Sequence, residues 1–69
     1  MIETRLSIPS LQTDDDASAV MFELQDLPCV HEAGVDPRAH TARVLHTAMM
    51  SAEDIVAKLG EAGIAAEVL

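Results

Sequence analysis

The sequence predicts an α+β fold with the order strand, helix, strand, strand, helix, strand, and three observations predict it. Apolar and polar residues alternate over 2–8 and again over 41–45, the period of a half-buried strand. Ala17, Val20, Met21, Leu24 and Leu27 fall at the spacing of one helical stripe. Ala52, Ile55, Val56, Leu59 and Ala62 repeat that spacing residue for residue, so the chain reads as two βαβ halves in tandem. This is the split βαβ or ferredoxin-like arrangement, a βαββαβ sandwich of four antiparallel strands with both helices on one face.

The first strand places Ile2, Thr4, Leu6 and Ile8 on one side, and Pro9, which cannot donate to a ladder, ends it. A short loop follows, and Asp14, Asp15 and Asp16 open a helix whose periodic body begins near Ala17. Carboxylates there meet free N–H groups and the positive end of the helix dipole. The helix stops before Pro28, because the residue preceding proline is pushed out of the α region. Phe22 lies opposite the apolar stripe, so the only aromatic ring is expected to be exposed.

Residues 30–35 read as a second strand, weakened by Gly34, and 36–40 as a turn with proline following aspartate. A turn centred between Arg38 and Ala39 pairs Val35 with Ala42, Ala33 with Val44 and His31 with His46. The matching apolar pairs support this register, since a slip of one residue would send them to opposite faces. Ser51-Ala52-Glu53-Asp54 has the form of a capping box with Asp in the final place. Gly63 suits the position just past the second helix, and 64–69 form the last strand.

The chain has room for one domain, residues 1–69, with an aliphatic core, because nearly half its residues are apolar and one is aromatic. Twelve acidic residues against four basic ones give a net charge of −8. Nucleic acid and anionic membranes reward the opposite balance, whereas a basic protein surface or a cation fits this one. No apolar run is long enough for membrane insertion. The single Cys29 rules out an internal disulfide and fits a reducing compartment, and the start of the chain lacks the form of a signal peptide. The expectation is a cytoplasmic monomer. No nucleophile stands beside a base at motif spacing and there is no phosphate loop, so an enzyme is not expected.

Several pieces of the chain resemble the heavy-metal-associated domain family of copper chaperones, mercury-binding proteins and amino-terminal domains of metal-transporting P-type ATPases. They are Leu6-Ser7-Ile8-Pro9 before the loop, Leu24 to Leu27 followed by Pro28 and Val30, Ser51-Ala52-Glu53-Asp54-Ile55, and Glu61-Ala62-Gly63-Ile64. The resemblance spans the whole chain and implies the ferredoxin-like fold, metal handling, and docking on the basic surface of a cation-transporting ATPase or another metal-traffic protein. The family's motif is G-M-x-C-x-x-C between the first strand and first helix. Here Leu11 stands for the methionine, and Thr13 and Asp16 stand for the two cysteines. Without the thiolate pair, tight Cu(I) binding at this loop is not expected.

Two candidate metal sites follow from residue chemistry. Thr13, Asp14, Asp15 and Asp16 offer oxygens for a harder ion, although adjacent helical positions point ~100° apart and do not close a cage. The plainer reading is a helix N-terminus rich in favourable charge. At the other end of the molecule the topology gathers Cys29, His31, His46, Met49 and Met50. Facing imidazoles with Cβ atoms within ~5.5 Å, together with sulfur, would suit Zn, Cu or Co, and Ni is a further divalent candidate. Against this, Cys29 and the two methionines also fit a simple core role. For partner binding the candidates are Asp14, Asp15, Asp16 and Phe22. His40, in the turn, has no evident partner and is expected to be solvated.

Overall fold

The computed structural model describes residues 1–69. It contains β1 (Ile2–Ser7), α1 (Asp14–Gln25), β2 (Val30–Asp36), β3 (Thr41–His46), α2 (Ala52–Glu61) and β4 (Glu67–Val68). The four strands form one antiparallel sheet in the order β2-β3-β1-β4. Both helices cover the same face, where Leu6 and Ile8 meet Ala42 and Val44 from the sheet, Val20 and Leu24 from α1, and Ile55 and Leu59 from α2. The predicted stripes account for these contacts. The buried helical residues are the same stripe positions in the two halves.

Helix ends follow from local chemistry. Ser51 and Asp54 form the expected capping box, with each side chain bonded to the other's backbone N–H. Thr13 and Asp16 form a second one, so α1 starts at Asp14, a full turn ahead of its buried face. At the far end of α2, Gly63 adopts φ +84, and the N–H groups of Gly63 and Ile64 return to the carbonyls of Gly60 and Leu59. This is a Schellman closure, and glycine fits it because its φ is left-handed. It takes up the Ile64 N–H, and β4 spans only Glu67–Val68 where the sequence predicts a strand over 64–69. Leu27 likewise lies beyond α1, in a turn in which its N–H bonds the Leu24 carbonyl at 3.2 Å.

Strand pairing agrees with the predicted register from Asp36↔Thr41 through Glu32↔Leu45, including Val35↔Ala42 and Ala33↔Val44. It then shifts: Val30, not His31, faces His46. One extra residue in β2 makes a bulge at His31. The bulge corrects the predicted pairing of His31 with His46 and has a clear physical reason. It brings apolar Val30 to the core side and leaves polar His31 exposed, which an unbroken ladder would have reversed.

Candidate functional site

The loop between β1 and α1 is built from four tethers. Ile8 and Leu11 close a turn through Leu11 N–H to Ile8 carbonyl at 3.0 Å, with Pro9 second in the turn, where its fixed φ suits it. Leu11 is fully buried in the core and anchors the loop like a peg. The carboxylate oxygen Oδ2 of Asp16 accepts from the N–H groups of both Gln12 and Thr13 at 3.1 Å, and Thr13 Oγ1 accepts from Asp16 N–H at 3.1 Å. The fourth tether comes from the β2–β3 turn.

That fourth tether is His40. Its backbone is left-handed, with φ +55, and its carbonyl accepts from Ile8 N–H at 2.7 Å. Its Nδ1 lies 2.6 Å from the Leu11 carbonyl, and a carbonyl only accepts, so Nδ1 carries the proton. The expectation of a partnerless His40 is therefore corrected: the residue is exposed, yet it clamps the hairpin to the loop. Asp36 shapes the same turn by accepting from Arg38 and Ala39 N–H groups through Oδ1. Nothing local in the sequence betrayed the clamp, because His40 and Leu11 are joined only by the sheet.

Thr13 and Asp16, which the sequence resemblance sets at the cysteine positions of the motif, converge on each other. They converge as a helix cap, with Thr13 Oγ1 and Asp16 Oδ2 committed to backbone N–H groups. The Asp16 carboxyl is held below its ordinary 3.8, first by the Gln12 N–H and then by the Thr13 N–H, with desolvation opposing and the Thr13 hydroxyl assisting. Asp14 and Asp15 are exposed and have no hydrogen bond or ion pair through their side chains.

The second candidate group is dispersed. His31 is exposed on the bulge, Met49 is 76% exposed, and Met50 packs on the core. Cys29 is buried, and its carbonyl accepts from Thr47 N–H. His46 is fully buried with both ring nitrogens engaged. Nδ1 donates to the Thr47 carbonyl at 2.9 Å, so Nε2 accepts from the Thr4 hydroxyl at 2.7 Å. No three or more His, Cys, Asp or Glu side chains come together as a metal-holding set anywhere in the chain. The partner of His46 had a signal in the sequence. Thr4 is a polar residue in the inward phase of β1, and a buried hydroxyl calls for a bond.

Charge divides by layer. The helices and their caps carry Asp14, Asp15, Asp16, Glu23, Asp26 and three further carboxylates against the lone Lys58, while all three arginines lie on the sheet and its hairpin. On the outer side of α1, Phe22 is 70% exposed, as its place opposite the stripe predicts. It borders a groove of about 540 Å³ lined also by Asp14, Ala17, Met21 and, from β2, Val35.

No family model matches the chain, and no curated protein matches it. Solved structures do. A copper binding domain from HMA7, a P-type ATPase, superposes with a TM-score of 0.93 at 23% identity, over 100% of this chain and 95% of that one. Oxidized MerP from Ralstonia metallidurans CH34 gives 0.89 at 19%, covering 97% and 94%. The yeast copper transporter domain Ccc2a, studied in apo and Cu(I) states, gives 0.89 at 16%, covering 100% and 96%, and it has also been solved in a complex with Cu(I) and Atx1. The chain has the fold of these heavy-metal-associated domains, as the sequence resemblance implies.

Proposed function

We propose that this chain is a metal-handling domain of the kind that serves as a metallochaperone or as the amino-terminal domain of a cation-transporting P-type ATPase. In this member the soft-metal site is lost, and any ion at the loop is harder and more weakly held than Cu(I). The observation that carries the proposal is the match of the entire fold to a copper binding domain from a P-type ATPase; the capping pair Thr13 and Asp16 stands where the sequence resemblance sets the two cysteines. Oxygen in place of sulfur moves the preference from Cu(I) toward Zn²⁺, Co²⁺ or Ni²⁺. The two outward carboxylates, Asp14 and Asp15, are the ligands still free to serve it. Titration with Zn²⁺, Co²⁺, Ni²⁺ and Cu⁺ while following amide shifts tests this. Movement confined to residues 13–16 on adding a divalent ion supports it, and tight Cu⁺ binding at that loop refutes it. The same spectra report on His31 and His46.

A second reading is supported by the capping box itself. With Thr13 and Asp16 committed to the backbone, the acidic start of α1 and Phe22 would serve a metal-free interaction module facing a basic partner, in a reducing, cytoplasmic setting. Charge steering of that sort weakens with added salt. Exchanging Asp14→Asn and Asp15→Asn should weaken partner binding without unfolding, whereas Asp16 must be left alone because it caps the helix. Both readings are of binding and not of catalysis.

A further inference from the structure

We propose that the free edge of β2 and the Phe22 groove form one docking site for an extended protein segment that alternates basic and apolar residues. Of the two sheet edges, β4 offers only two residues, whereas β2 has seven and pairs on one side only, with β3. Natural sheets guard such edges, since unpaired N–H and C=O groups invite another strand. Here the guard is the bulge at His31, which leaves residues 32–36 regular and open.

The groove lies where a fifth strand would need it. Ala33 and Val35 turn toward the helices and pack against the core, and Val35 shares the groove with Ala17, Met21 and Phe22 of α1. A strand added beside β2 would alternate its side chains in the same way. One set would enter the groove and cover the exposed ring, and main-chain bonds would supply the rest of the affinity. The other set would lie on the open face of the sheet beside Glu32 and Asp36. Arg43, the guanidinium next to them, sits one strand further in, opposite Gly34. Asp14 also lines the groove. Lysine or arginine on the outward positions therefore meets Glu32 and Asp36, while the apolar positions face Phe22. A second copy of this chain fits badly: at −8 each, two copies would bring Glu32 and Asp36 against their own kind. The site shares Asp14 and Phe22 with the interaction-module reading, which it deepens and on which it rests, while the Thr13–Asp16 cap takes no part in it.

The test uses a synthetic peptide of alternating lysine and valine, a block peptide of the same composition, and an alternating glutamate–valine peptide, each added to the labelled protein. The alternating lysine peptide should shift and protect amides of residues 32–36 and of the Phe22 flank. N-methylation of every second peptide residue should abolish binding in one frame and be tolerated in the other, since only one set of N–H groups faces β2. Phe22→Ala, at an exposed position that leaves the core intact, should weaken binding about tenfold, and Glu32→Lys should weaken it further. Equal binding of the block or acidic peptide overturns the proposal, as does indifference to the N-methyl frame. A dimer of the free protein with residues 32–36 already protected would assign the edge to a second copy and overturn it too.

Discussion

The buried pair Thr4–His46 gives the most demanding test of the packing described above. Thr4→Val keeps the shape and removes the hydroxyl that bonds His46 Nε2 at 2.7 Å, leaving a buried ring nitrogen unsatisfied. That costs about 1–3 kcal/mol. His46→Leu removes the ring and leaves the Thr4 hydroxyl and the Thr47 carbonyl without it, a loss of similar size or larger. The two together remove both ends of the Thr4 bond, so the double variant should cost less than the sum of the singles by about 1–3 kcal/mol. A chain of this length has only about 3–10 kcal/mol in hand at 0.05–0.15 kcal/mol per residue, so each single should be plainly weakened, with Tm lower by about 4–8 °C per kcal/mol. With neither tryptophan nor tyrosine present, far-ultraviolet circular dichroism in urea is the natural assay. Strict additivity of the two changes would refute the assigned bond and with it the picture of His46 as an internal brace.

Three further outcomes follow from the loop and the caps. Because the folded state holds the Asp16 carboxyl below its ordinary 3.8, its contribution to stability is full above that pH and is lost as pH falls through the lowered value. The stability gap between the natural chain and Asp16→Asn should accordingly be constant near neutrality and close at acid pH, as read by denaturation at a series of pH values. Gly63→Ala should cost about 1–2 kcal/mol, since φ is +84 and no atom lies within 4 Å to add a clash. A neutral result in thermal melts would deny the left-handed closure. His40→Ala should speed amide exchange at Ile8 and along the loop to Thr13 while leaving β1–β3 amides unchanged, which hydrogen exchange followed by NMR would detect.

Much of the scaffold could be read from short-range pattern. Alternation in β1 and β3, the stripes of α1 and α2, the Ser51–Asp54 box and the glycine at 63 each depend on neighbours within one or two turns of chain. The register near the hairpin was legible for the same reason: the turn sits a few residues away. The loop was legible in part. The acidic start of the helix is plain in the sequence, but three contiguous aspartates hide which one is the cap. Asp16 is singled out by its distance from Thr13, the same capping-box spacing that joins Ser51 to Asp54.

What the sequence determined alone is the fold and the presence of a single cysteine, because periodicity selects each element without reference to distant partners. What only the tertiary structure decided is the pairing of polar groups across the sheet: the bulge that separates His31 from His46, the Thr4 brace, and the His40 clamp on Leu11. Those depend on which strands lie side by side and on where one extra residue is absorbed. Such a choice is made by packing Val30 against the core and exposing His31, and it is written in no short stretch of chain.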